Sequence, residues 1–462
     1  MKKLLLILLC LPMIGFGQQT YIPDDNFESY LEANGMGNGI ANDDYVTTAS
    51  INTAGGLYVD SQNISDLTGI EDFIALAALT CNDNQLTTLD LSNNTSLSYL
   101  ECWGNQLTTL DFSQNLLIDY LFCQDNQLTS IDITSNVALV VLRLDYNQLI
   151  SLDLSNNTNL EYLDFFDSQL TTIDLSQNTN LIELRCGYNQ LTNLDLSQNP
   201  HLEFLYCQNN LINSINLTQN TNLKLLFAES NFFYNIDLSN NPNLIYAYLY
   251  GNLLYELDLS YQDIQYLGCS NNQITDLTIE SDSLKELFCG NNPLFLFDAT
   301  NHPNLEMLAI FNTGLFNIDL SQNLYLWFLS IGSNPDLWSL DLSNNYLLEH
   351  LDLYSNSLSN LDMRNGNNQN ISYFVTWNCW NSQFLECISV DDSIYSTNNW
   401  TSIDSWHYFS NNCNPLAIQE HSKNKELLKV SDLLGRETKP KTNIPFIEIY
   451  DDGTVEKRIV IE

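Results

Sequence analysis

The sequence predicts a mainly β solenoid of about fourteen coils, on three observations. A unit of about 21 residues recurs along most of the 462-residue chain, and periods of that length mark stacked-coil architectures. Within a unit, apolar residues alternate at the spacing of a strand. The same apolar pattern then occurs a second time half a unit later, which leaves no length for a helix. One copy runs from Leu79 to Asn94 and reads LTCNDNQLTTLDLSNN. Leu79 and Cys81 point inward, and Asn84 turns the chain and can bond the backbone of neighbouring coils. The Asn84 position recurs at Asn105, Asn126, Asn147, Asn189, Asn210, Asn231, Asn252, Asn272, Asn292, Asn334 and Asn356, with Ser168 and Thr313 in the remaining coils. Leu86, Leu89, Leu91 and Asn94 repeat the spacing, so each coil is expected to carry two strand-like faces.

The elements follow in chain order. Lys2 and Lys3 precede an apolar run from Leu4 to Ile14 and the small residues around Gly15 and Gly17, a secretory signal over residues 1–17. That run is too short to span a bilayer. In the N-terminal cap, 18–63, Pro23-Asp24-Asp25-Asn26 is a helix start leading into Phe27 to Leu31. Ile64, Leu67 and Ile70 open the solenoid, 64–375. The C-terminal cap, 376–414, holds a last strand from Leu385 to Val390 and the aromatics Trp400, Trp406, Tyr408 and Phe409. Such caps cover the apolar cross-section that a stack of coils exposes at its ends. A polar linker, 415–425, leads to a tail, 426–462, whose alternation on either side of Asp452-Gly453 signals a hairpin.

These motifs carry a resemblance. The LxxLxLxxN spacing over residues 57–385 resembles the short bacterial class of leucine-rich repeat proteins, which implies a parallel sheet with one strand per coil. The C-terminal cap is similar to one that accompanies such repeats in exported proteins of the Bacteroidetes. The tail, with Asp432-Leu433-Leu434-Gly435-Arg436-Glu437 before the hairpin, resembles the sorting domain read by the type IX secretion system of that group, though it lacks the longer upstream strands. Together these imply a secreted or outer-surface protein whose tail engages that machinery.

Composition narrows the function. Fifteen basic residues face 56 acidic ones, for a net charge of −41. Residues 18–422 carry only five of the cations, Arg143, Arg185, Lys224, Lys285 and Arg364, against 48 carboxylates. Nucleic-acid binding rests on cations displacing counterions and is excluded on this balance, as is docking on an anionic membrane. With 44% hydrophobic residues the chain has ample material for a core. Apart from the signal, no apolar stretch is long enough for a membrane span. Catalysis finds no support: His201, His302, His350, His407 and His421 form no HExxH pair, and His201 and His302 lie beside prolines at coil corners, where solvated residues are expected.

Cysteine usage divides in two. Cys81, Cys102, Cys123, Cys186, Cys207, Cys269 and Cys289 share one inward column with Leu144, Phe165, Ala228, Leu249, Ile310 and Ile331, so they read as buried free thiols. Cys387 and Cys413 bracket the C-terminal cap and are expected to form a disulfide, with Cys379 as a competing partner.

Because the coils can be compared with one another, the columns that vary point to recognition. On the second half-coil the outward residues are monotonous, with Asp in twelve of fourteen coils. Repulsion along this column, Asp90, Asp111, Asp132, Asp153, Asp174 and Asp195 among them, calls for an offset by flanking hydroxyls or by a shared cation such as Ca²⁺. No other cofactor is implied. On the first half-coil, 17 of 42 outward positions are aromatic, in a chain that is 11% aromatic. They form three columns: Tyr99, Tyr120, Tyr162, Phe204, Tyr246, Tyr266 and Phe328; then Phe122, Tyr206, Phe227, Tyr248 and Phe288; then Trp103, Phe166, Tyr250, Phe311 and Tyr354. Arg143 and Arg185 interrupt them. An aromatic face of this kind binds an extracellular protein or polysaccharide, or else its rings stack across strands only to hold the sheet.

Overall fold

The computed structural model describes residues 18–375, 385–413, 427–431, 438–440, 445–450 and 455–458. They belong to two compact units, Met1–Phe409 and Ser410–Glu462. The expected signal, the linker, Cys379 and the segment 432–437 lie outside the described residues.

In the first unit, a sixteen-stranded parallel sheet runs from Gly56–Tyr58 to Tyr373–Val375. Between these two lie fourteen three-residue strands, Ala78–Thr80 through His350–Asp352, one for each repeat. The sheet thus extends one strand past the repeats at each end, and its first strand lies inside the segment read as cap. Register keeps like beside like: Leu142 sits between Leu121 and Leu163, and all three are buried. Each of the fourteen repeat strands is followed by a left-handed turn on the residue before the ladder position. Asp83 (φ 51°), Gly104 (φ 67°) and Asn209 (φ 54°) are typical occupants, residue types that tolerate this conformation best.

Two asparagine ladders then pin the corners of most coils, with Ser168 and Thr313 replacing asparagine in the first and Gln262, Ser281 and His302 in the second. In the first, Asn105 donates to the carbonyls of Cys81 and Cys102 while its oxygen accepts the Leu86 amide, all at 3.0–3.1 Å. In the second, fully buried Asn115 donates to the carbonyls of Leu91 and Asn94, at 2.9 and 3.0 Å. Buried backbone groups at the bends are thereby paired without a second continuous sheet.

The second half-coil departs from the regular second sheet that the doubled pattern allowed. Among the described residues its strands are confined to Glu256–Leu259 with Asp276–Ile279, and to the set Ser339–Asp341, Asn360–Asp362, Cys387–Ser389 and Tyr408–Ser410. The Asp column makes the same local turn with or without a strand, since Asp258 and Asp341 lie in strands and still accept the amides of Ser260 and Ser343 at 2.9 Å. Asp90 accepts the amide of Ser92, two residues on, at 2.9 Å, and Asp111, Asp153 and Asp174 repeat this with Ser113, Ser155 and Ser176.

The seven column cysteines are fully buried and free. Cys102 and Cys123 stack with sulfurs 3.5 Å apart. At the front, Asp24 caps the helix Asp25–Ala33, as the sequence signal predicted, accepting the amides of Asn26 and Phe27. An antiparallel pair, Gln19–Tyr21 with Tyr45–Thr47, and a short helix, Thr48–Ile51, complete that cap. At the back, Trp400 packs on Phe374 and Phe409 at 4.7 and 5.5 Å between ring centres. An unforeseen helix, Ser393–Asn399, is capped by Asp392. Cys387 and Cys413 are both disulfide-bonded. His302 corrects the expectation of a solvated corner: it is buried, bonded through Nδ1 to the Ser281 carbonyl at 3.0 Å and stacked on Phe297. Its ring fills the turn that a ladder side chain occupies elsewhere. Among the described residues, no helix is long and apolar enough to cross a membrane.

In the second unit, Leu427–Ser431, Phe446–Tyr450 and Val455–Arg458 form an antiparallel three-stranded sheet. Phe446 lies opposite Arg458 and Ile449 opposite Val455, the hairpin register that the alternation predicts.

Candidate ligand-binding face

The long sheet carries the aromatic columns on its outward side. Of the seventeen rings, Tyr120 and Tyr250 are exposed and the other fifteen are half-buried by their neighbours. Tyr206, Phe227 and Tyr248 form a continuous stack with centres 5.1 and 4.7 Å apart. Tyr246 and Tyr266 lie parallel at 4.5 Å. Phe328 continues through His350 to Tyr373, at 4.3 and 4.1 Å; this histidine is a member of the face that column counting missed. Tyr248, Phe311 and Tyr354 lie over Gly268, Gly290 and Gly332, where an added Cβ would strike each ring. Those three aromatics therefore fill space that a glycine leaves in a neighbouring coil.

The face is interrupted where Arg143, Asp164 and Arg185 follow one another in the central column. Arg143 contacts Asp145 at 3.3 Å and Asp164 at 3.7 Å. Arg185 donates from Nε to Glu183 at 2.6 Å and lies over the rings of Tyr206 and Tyr162, at 4.7 and 5.7 Å. Asp164 accepts the Phe166 amide and is almost fully buried. Burial, then the nearby Asp145 carboxylate, raise its pKa to about 6. Burial likewise raises Asp145 above the ordinary carboxylate range, against the pull of Arg143, and lifts Glu229, two strands beyond Arg185, to about 7. These side chains surround a hollow of about 210 Å³ lined by Arg143, Asp145, Tyr146, Asp164, Phe166, Arg185, Tyr206 and Gln208. Tyr146 and Tyr188 pack on Phe166 from either side, at 5.7 and 4.9 Å. Column counting missed both tyrosines because they sit in the turn just past the strand.

The remaining sequence candidates do not converge here. Tyr99 and Phe122 form one cluster with Tyr120, and Trp103 lies beside them with its indole nitrogen 3.4 Å from Glu101. Phe204 sits under Lys224 at 6.0 Å, and Phe288 occupies a strand farther along. The Asp column lies on the other half-coil, beside a wider hollow of about 690 Å³ that includes Asp66, Asp90 and Asp111. Bonds from Ser92, Ser113 and Ser155 lower the pKa of Asp90, Asp111 and Asp153. Among the described residues, the acidic groups close enough to share an ion are Asp25, Glu28 and Asp44, in the front cap rather than in the column.

Comparison with solved structures decides the fold. The functional domain of InlJ from Listeria monocytogenes, described as including a cysteine ladder, matches over 96% of this chain and 99% of its own, with 25% identity and a TM-score of 0.57. The fold is a leucine-rich repeat solenoid. A second leucine-rich repeat protein, from Leptospira interrogans, matches over 67% of this chain and 92% of its own at 22% identity and a TM-score of 0.56. YopM from Yersinia enterocolitica matches over 63% of this chain and 62% of its own at 25% identity and a TM-score of 0.53. No family model and no curated protein matches the chain. The buried thiol column of this leucine-rich repeat solenoid lies inside the coils while the variable side chains face out.

Proposed function

We propose that this solenoid is a secreted or cell-surface binding protein that recognises a protein or polysaccharide through the outward side of its long sheet. The observation that carries this reading is the contrast between its two half-coils. On one, a monotonous Asp column has its oxygens engaged by amides two residues on. On the other, aromatic and charged side chains that vary from coil to coil stay half-open. Export is supported by the signal pattern in residues 1–17 and by the tail, which engages type IX secretion machinery on this reading. Binding, rather than catalysis, suits regular coils that present a broad face.

The test is surface attachment and capture of extracellular proteins and glycans by the chain, compared with a Tyr120→Ser, Tyr250→Ser variant. These are the two exposed rings, so the fold survives their loss; attachment should fall, and undiminished attachment would sink the proposal. A second reading, cohesion of the sheet alone, is favoured by the parallel stack of Tyr246 on Tyr266. It predicts a lower melting temperature for Tyr246→Ser with binding unchanged.

A further inference from the structure

The hollow between Arg143 and Gln208 has properties that sheet cohesion does not require. Two polar atoms among its lining residues are buried and have no hydrogen-bond partner, Asp145 Oδ1 and Gln208 Oε1. Buried polar groups are ordinarily paired, so two in one place call for an explanation. Tyr146 and Tyr188 hold left-handed backbone, φ 55° and 54°, in a turn where other coils use Asp, Asn, Ser or Gly. A bulky residue there is strained, and strain of this kind gathers at ligand sites. Both tyrosines spend that strain on flanking Phe166. Gly187, just past the strand in the coil next to Phe166, leaves the hollow open: an added Cβ would lie 2.9 Å from Gln208 and 3.1 Å from Phe166.

Charge and shape then select the ligand. Arg143 and Arg185 are balanced by Asp145 and Asp164, so a cationic or an anionic ligand would meet its own sign at once. Donors and acceptors alternate around an aromatic wall. A group that both donates and accepts, beside an apolar C–H surface, is a sugar ring: each hydroxyl does both, and the ring face packs on an aromatic. At ~30 Å³ per water, the hollow of about 210 Å³ holds about seven waters, a space that suits one ring.

Resting on the binding-face reading above, we infer that this hollow is a subsite for one uncharged pyranose unit of a glycan, seated on Phe166 with its hydroxyls bonded to Arg143, Asp145 and Gln208. The probe is an array of neutral oligosaccharides ending in glucose, galactose, mannose or N-acetylglucosamine, with sulfated glycans and basic peptides beside them, read with the full chain. Binding to one or more neutral glycans is expected, changing less than about twofold with salt because no net charge is neutralised. Gly187→Leu fills the hollow and leaves every charge in place, and should weaken binding at least about tenfold. Phe166→Ala, which removes the platform and adds no bulk, should do the same if the leucine variant folds poorly. Tyr261→Ser, at an exposed ring outside both the aromatic columns and the lining of the hollow, should leave array binding intact. Binding only to charged probes, no binding to any neutral glycan, or full binding by both hollow variants overturns the inference. If the hollow variants attach normally to surfaces while the Tyr120, Tyr250 variant does not, the subsite is wrong and the binding face stands. If all of them attach normally, the binding-face reading falls with it.

Discussion

Asp164 shows how a single buried residue imposes a pH dependence on the fold. Desolvation, reinforced by Asp145, puts its carboxyl at about 6 against an ordinary 3.8, and desolvation puts Glu229 at about 7 against 4.5. An acid whose folded pKa is raised holds its proton more tightly in the fold. Its stabilising contribution is therefore complete below the unfolded pKa and is lost as pH rises through the folded one. From Asp164 alone that loss is on the order of 3 kcal/mol. The Asp column works in the opposite sense, because its lowered pKa values give stability that is lost only as pH falls into the acid range. Between pH ~4.5 and ~7.5 the two buried acids dominate. The melting temperature should fall across that window, and Asp164→Asn should flatten the fall; an unchanged slope would show that Asp164 stays ionised throughout.

At the scale of the coil, the two asparagine ladders look alike in sequence and differ in what they satisfy. Asn126 bonds the carbonyls of Cys102 and Cys123 and also accepts the Leu107 amide at 3.0 Å. Asn157 bonds the carbonyls of Ile133 and Asn136, and its own oxygen has no partner. Asn126→Ala strands a buried amide that Asn157→Ala does not. It should therefore destabilise by about 1–3 kcal/mol more, read as the difference in denaturant midpoint. The thiol column gives the converse expectation. Cys186 is fully buried, and burial holds its thiol far above the ordinary range. Cys186→Val should change stability by less than about 1.5 kcal/mol, and a thiol reagent should label Cys186 only after unfolding; labelling of the folded chain would contradict the buried column. Ladders, thiols and inward leucines are legible in the sequence because each recurs coil after coil, so columns can be compared within one chain. The helix Ser393–Asn399 and the pair Gln19–Tyr21 with Tyr45–Thr47 occur once and have no internal comparison. The hollow is half legible: Arg143, Phe166 and Arg185 stand in the counted columns. Tyr146 and Tyr188 fall outside them, and only the turn geometry swings their rings onto Phe166.

The whole solenoid differs from a globular domain in that each coil touches only its neighbours, so stability is a sum of coil and interface terms and loss at one end need not travel. Asp24 makes the front end a sharp test. One carboxylate oxygen caps the helix Asp25–Ala33, and the other accepts the Ser65 amide at 2.7 Å, the Ser65 hydroxyl at 2.8 Å and the Asp66 amide at 3.2 Å. This one side chain joins the cap to the first coil. Asp24→Ala removes a helix cap worth about 1 kcal/mol and leaves two amides without their acceptor, for a total on the order of 2–4 kcal/mol. In a chain of nearest-neighbour coils the effect should stay local. The amides of Val59, Ser61 and Cys81, bonded to Thr80, Asn82 and Glu101 in the first coils, should exchange with solvent faster. Those of Ile310 and Ile331, bonded to Ser330 and Asp352 near the far end, should keep their protection. Native-state hydrogen exchange reads both sets at once. If protection drops equally along the whole sheet, the stack unfolds as one cooperative body, and the continuous parallel sheet is then the structure that couples its ends.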